Sequence, residues 1–428
     1  MRKLIYAILA FFWVGWPLCF AHAETLTQAL TQAYIRNYTI NSTRASVVMA
    51  DDDITIARSA YFPQVSVSAT YGGKKTPFAP DDYAVAGSVG IKLDQKIFDG
   101  FSSQNIVAAA SVSAQAQREF LRNTEQDIFV AAATAYADVY QYRKIAALRQ
   151  ENLRALDEQV RSYKAKISVG EGTQTDLAQA EAARAIALSE LSLARADVQT
   201  AEAVYQRIIG VEPDVLDKPL PAAGLPETLD ASYREAMVAH PAILYSRYLV
   251  EASSHSVKAQ EGAMLPQIGL SASTSYDRIY QGQAKEGQTT SIGVVLQMPL
   301  FQGGRTTAQV HKAKEKAGQA QIQYDSSVAE VRQALTSSWA QLVGARTAVT
   351  AYRDSVRAAE IALNGRLQED RVGQATTLDV LNARSQLIAA KIGLIRAERG
   401  VIVASYNVRS ALGRMTADQL GISLPITK

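Results

Sequence analysis

Few residues in this chain could do chemistry. His240, His255 and His311 lack the spacing of metal ligands, and neither a His-Glu-x-x-His run nor a nucleophile pattern occurs. Cys19 is the only cysteine, so a disulfide framework or a thiolate metal site is excluded. Gly170-Glu171-Gly172 follows a helical run rather than a strand and has no phosphate-loop lysine, which argues against nucleotide binding. Trp339 and the tyrosines of the long helical runs read as packing residues. No cofactor and no metal is expected. What recurs instead is a polar turn, Val169-Gly170-Glu171-Gly172-Thr173-Gln174-Thr175-Asp176, with an echo 203 residues later at Val372-Gly373-Gln374-Ala375-Thr376-Thr377-Leu378-Asp379. Glycine tolerates positive φ, and Thr and Asp cap the helix that follows.

The N-terminus reads as an export signal. Arg2 and Lys3 precede an apolar run from Leu4 to Phe20, and Ala21-His22-Ala23 offers a small-x-small cleavage site. Cys19 falls inside it, and bulky Leu18 argues against a lipid anchor there. The chain has 44 basic and 41 acidic residues, and two of the basic ones leave with the signal. That near balance gives no support to nucleic-acid binding.

These turns need long elements to hold them. Residues 26–60 read as one helix closed by Pro63. From Gln64 the period falls to two: Val65, Val67, Ala69 and Tyr71 alternate with Ser66, Ser68 and Thr70. A polar, proline-bearing loop, 72–83, leads to a second alternating run, and the pair form a hairpin at 64–98. Residues 102–168 then contain neither proline nor glycine, a helix of roughly 100 Å. Near its end Leu153, Leu156, Val160, Tyr163 and Ile167 step by three and four, as do Ala187, Leu191, Ala194, Val198, Ala201 and Tyr205 beyond the turn.

The second half repeats the first with no gap: Pro63, Phe98 and Gly210 correspond to Pro266, Phe301 and Gly413. The expected division is a signal at 1–23, repeat one at 24–210 and a proline-rich linker at 211–230. Repeat two covers 231–413, with strands at 267–280 and 289–301 and a helical hairpin at 305–412, and a tail occupies 414–428. Four amphipathic strands cannot close a barrel, and lipid tolerates no open sheet edge. Several copies must therefore join, or the strands form a periplasmic sandwich with coiled-coil arms.

The duplicated order, with Tyr61-Phe62-Pro63-Gln64, Leu265-Pro266-Gln267, Ile97-Phe98-Asp99-Gly100, Leu300-Phe301-Gln302-Gly303-Gly304 and both Val-Gly-x-x-Thr-x-x-Asp turns, resembles the TolC family of outer-membrane ducts. The resemblance implies a mixed fold, helical rods plus transmembrane strands, in a homotrimer with a twelve-stranded barrel in outer-membrane lipid and a long periplasmic helical barrel. Loops 72–83 and 280–289 would face outside. Such ducts are passive exits for efflux or type I secretion, and dock onto a periplasmic adaptor and an inner-membrane RND or ABC transporter.

The family's entrance carries two acids one turn apart. They correspond to Asp379, which is retained, and Asn382, which is not acidic. An acceptor pair that helps hold the entrance shut corresponds to Thr175 and Asp176, whereas the arginine and tyrosine that would meet it fall at Ala375 and Asp370, leaving Arg371 or Arg366 as substitutes. Val169, Gly170, Thr173, Val372, Gly373 and Thr376 are the expected adaptor-docking residues. The competing readings are a periplasmic coiled-coil adaptor and a purely structural protein.

Overall fold

A computed structural model describes residues 23–75, 83–281 and 283–422. The expected signal, Thr76 to Asp82 of the first hairpin loop, and the end of the tail lie outside them. Two similar series of elements follow one another. The first is α1 (Leu26–Arg36), α2 (Tyr38–Arg58), β1 (Gln64–Lys75), β2 (Tyr83–Phe98), α3 (Ser102–Ser168) and α4 (Gln174–Ile209). The second is α5 (Leu229–Ala239), α6 (Pro241–Gly262), β3 (Gln267–Gln281), β4 (Gln283–Gln297), α7 (Arg305–Arg371) and α8 (Thr377–Ala411), and a short α9 (Ala417–Leu420) ends the series.

α3 and α7 are each 67 residues long, about 100 Å at 1.5 Å per residue. Each runs past two shorter helices. α2 and α4 flank α3 on one side, while α6 and α8 lie between α3 and α7. The layer is four helices wide, and α7 forms its far edge. The heptad residues behave as their spacing demands: Leu153, Leu156, Val160 and Tyr163 of α3 are buried, as are Ala187, Leu191 and Ala194 of α4.

Three expectations change. The helix expected over 26–60 is broken at Asn37, whose backbone turns extended (φ −66°, ψ 125°). Its carboxamide accepts from the amides of Thr39 (2.9 Å) and Ile40 (3.3 Å) and donates to the carbonyl of Ile208 at the end of α4 (2.9 Å). Asn37 thereby joins α4 to α2 end to end. His240, 203 residues later, joins α8 to α6 in the same way. Its Nδ1 accepts from the Ala242 amide (3.2 Å), and the ring lies beside the Ser410 backbone.

The strands are also longer toward their turns than expected. Gly72 to Lys75 extend β1, and β4 begins at Gln283 rather than Thr289 because it stays in register with β3 through Arg278↔Glu286 and Tyr280↔Ala284. At its other end β4 stops at Gln297, not Phe301, because Pro299 has no N–H to give a ladder. Finally, α5 begins within the expected linker, where the Thr228 hydroxyl caps the Ala231 amide (3.2 Å), and α9 occupies part of the expected tail.

The sheet runs β1-β2-β3-β4, antiparallel throughout, with β1 and β4 as open edges. Register puts Val65, Val67, Leu93, Ile91, Leu270, Ala272, Ile292 and Val294 on one face. The other face carries Ser66, Ser68, Ser271, Ser273, Ser291 and Gly293, together with a Lys92–Asp94 ion pair (2.8 Å). The apolar face runs about 20 Å from Val65 to Tyr71 at roughly 3.3 Å per residue. It is bordered by Tyr71, Tyr276 and Tyr280 at one end and by Tyr61, Phe62 and Phe301 at the other, all exposed.

Candidate functional site

The two helical hairpins end side by side in the turns singled out by the sequence. In the first, Gly170 adopts φ +80°, and the Glu171 amide returns to the Lys166 carbonyl (2.9 Å). The second repeats this arrangement, with Gly373 at φ +75° and the Gln374 amide on the Glu369 carbonyl (2.8 Å). Positive φ at these positions lets a 67-residue helix stop and its carbonyls find donors. Val169 and Val372 are left about 70% exposed at the tips. The other docking candidates divide by role. Gly170 and Gly373 make the turns, whereas the hydroxyls of Thr173 and Thr376 are already committed as helix caps.

Those caps draw in the acids. Asp176 accepts from the Thr173 hydroxyl (2.5 Å), and Asp379 accepts from the Thr376 hydroxyl (2.7 Å) and amide (3.0 Å), a capping box. The Thr376 hydroxyl, then its amide, with Arg366 adding a favourable charge, hold the Asp379 carboxyl below the usual carboxylate range. Asp176 is lowered as well, by Thr173 first and then by the hydroxyl of Thr377, which belongs to the other hairpin.

Thr377 was not singled out by the sequence. It is 4% exposed and lies beside Asp176 at the tip of α4. Nothing but its residue type marks it in a single chain. Thr175 is exposed beside Asp176. Arg366 does not reach Asp176 within the chain but pairs with Glu369 (2.7 Å) in its own helix, and Arg371 is exposed. Asn382, one turn beyond Asp379, lines a groove of about 390 Å³ between α8 and the first hairpin. Facing that groove, Arg384 is lowered by burial and its Nε has no partner.

A sheet with one apolar face, girdled by aromatics and continuous with helical hairpins of about 100 Å, defines a chain of a membrane-spanning strand barrel with a helical extension. Among the described residues no helix is long and apolar enough to cross a membrane. Comparison with known proteins agrees. The family model described as outer membrane efflux protein matches residues 29–211 and 232–414, one match per repeat. The chain belongs to the outer membrane efflux protein family.

Among curated relatives, outer membrane efflux protein BepC of Brucella suis is 50% identical over 94% of this chain and 88% of its own length. Outer membrane protein TolC of Escherichia coli is 25% identical over 98% and 88%. The outer-membrane channel CmeC of Campylobacter jejuni superposes with a TM-score of 0.80, at 16% identity, over 91% of this chain and 85% of that one. These relatives are named as outer-membrane proteins, efflux proteins or channels rather than as enzymes, and the family places the chain in the outer membrane.

Proposed function

We propose that three copies of this chain close into a twelve-stranded barrel through the outer membrane and a helical barrel below it, forming the exit duct for an efflux pump or a type I secretion transporter. The observation that carries this reading is the sheet. Its apolar face suits lipid, its serine-lined face suits water, and both edges, β1 and β4, are open. The helical layer is open on the same two sides. α7 exposes Ile322, Val343 and Ile361 at one edge, while α2 and α4 expose Val48, Ile56 and Leu193 at the other. Head-to-tail closure would bury both sets and pair the strand edges.

The valine-glycine tips would receive the hairpin of a periplasmic adaptor that also grips an inner-membrane RND or ABC transporter, and the duct itself performs no catalysis. BepC is named as an efflux protein, and AprF of Pseudomonas aeruginosa, 23% identical, as an alkaline protease secretion protein; the two names span both services. At the entrance three Asp379 carboxylates would meet on the axis with Asn382 one turn above them, a weaker cation trap than a pair of acidic rings. Asp176 and Thr377, with Thr175 beside them, would hold the hairpin tips together where the family's arginine and tyrosine are missing.

The test is a planar-bilayer recording of the purified mature protein and of Asp379→Ala. Small cation-selective openings that enlarge in the variant support the duct and its gate. Folded trimers that never conduct would overturn it.

A further inference from the structure

A second opening lies well away from the tips, where α6 and α8 meet end to end between α3 and α7. This cavity of about 600 Å³ is lined by Gln126 and Asp127 of α3, Glu330 and Ser338 of α7, Asn407 of α8, and His240. Gln126 is 1% exposed, and neither its amide nitrogen nor its oxygen has a hydrogen-bond partner. A buried carboxamide without partners is a standing penalty, relieved by a guest that both donates and accepts.

The charge of the site has one sign. Asp127 and Glu330 line the mouth, and neither forms an ion pair among the described residues; desolvation by neighbouring atoms raises the Asp127 carboxyl above the usual carboxylate range, and Glu330 accepts only from the Ser326 hydroxyl (2.9 Å). No lysine or arginine lines the cavity, and burial keeps His240 neutral while its Nδ1 accepts from the Ala242 amide. Among the described residues no three His, Asp or Glu groups come close enough to hold a metal ion. The duplication offers an internal comparison: Gln126, Ser338 and Asn407 stand where the other repeat has Ala329, Ala135 and Val204. These three polar residues therefore belong to this junction, whereas Asp127 and Glu330 are equivalent positions of the two repeats that meet here.

We infer that this cavity binds a small hydroxylated organic cation, with ammonium groups drawn to Asp127 and Glu330 and a hydroxyl satisfying the Gln126 amide. A hydroxyl can supply the donor and the acceptor that Gln126 lacks, which a bare alkylammonium cannot. Binding here would load the joint between α6 and α8 rather than the entrance.

The experiment is calorimetric titration of kanamycin into the full mature chain in detergent. An Asp379→Asn background keeps the entrance carboxylates from contributing, and spermidine and glucose serve as comparison probes. The expected result is one saturable site per chain for kanamycin, weaker binding of spermidine and none of glucose. Glu330→Gln should weaken kanamycin about fivefold, the effect of one exposed charge pair, and Gln126→Leu should bring its affinity down to that of spermidine. Should Gln126→Leu fail to fold, Ser338→Ala with Asn407→Val, the residues of the other repeat, tests the same lining. No saturable heat, or equal binding of kanamycin and spermidine that none of these substitutions alters, would overturn the assignment.

Discussion

Within one chain the Asp379 carboxylate accepts from the Thr376 hydroxyl and amide, which favours its ionised form. Three ionised copies on a common axis would repel one another and push the other way. Cap and gate thus compete for one proton, and the Asn382 position adds no charge to either side. Asp379→Asn separates the two roles, because asparagine keeps an acceptor for Thr376 and removes the charge. We expect the variant to retain trimer stability, to pass larger currents, and to lose cation block by roughly tenfold or more, since most of the trap is electrostatic. Block that is unchanged in the bilayer would place the constriction elsewhere. The same residue marks a limit of sequence reading. The cap was legible from the Thr-x-x-Asp spacing, whereas the approach of Thr377 to Asp176 brings together residues 201 positions apart and depends on how two hairpins lie together.

Among the elements, the two end-to-end joints show what was legible and why. The long rods were plain because 67 residues without a helix breaker leave few alternatives. At His240 the sequence carries a helix-start signal, since proline is favoured at the first helical position and Pro241 takes it. The counterpart at Asn37 was not legible, because Tyr38 stands where the second repeat has proline and helical pattern continues on both sides. The difference between the two caps has a consequence in acid. Burial lowers the His240 pKa from 6.5 to about 4, so the imidazole is neutral in the fold. Between those values the unfolded chain takes up the proton first, and stability falls as pH drops through that window, by on the order of 3 kcal/mol in all. Asn37 does not titrate. Replacing His240 with asparagine should therefore flatten the pH dependence of the melting temperature between pH 6.5 and 4 while keeping the cap, and a profile as steep as wild type would assign the acid sensitivity to other groups. A third contact needs no protonation. At the passage from helices to strands, a Cβ added to Gly262 would overlap the Gly100 carbonyl oxygen. Since backbone must move to admit it, Gly262→Ala should cost about 1–3 kcal/mol, read as a lower melting temperature with conductance retained in the folded fraction.

At the scale of the whole molecule, two solvents meet across a sheet one residue thick, and neighbouring residues on β4 answer to different ones. Ile292 faces outward with Val67, Ile91 and Ala272, while Ser291 shares its side with Ser273, the two hydroxyls 2.8 Å apart. If the apolar face meets lipid, an arginine at position 292 must carry its charge into the bilayer, at about 2–4 kcal/mol per chain near the midplane. Closure of a trimer multiplies that cost by the number of chains, because no copy can insert without its neighbours while edge groups remain unpaired. An arginine at 291 would instead project into a water-filled lumen already carrying Lys92, Asp94 and Lys96. Ile292→Arg should therefore accumulate as periplasmic or degraded protein, while Ser291→Arg should reach the outer membrane and shift selectivity toward anions. Fractionation of the two variants, followed by bilayer recording of the second, reads both outcomes. Equal outer-membrane yields would mean that the apolar face is covered by protein rather than lipid, which would return the sheet to a sandwich and remove the barrel from the duct.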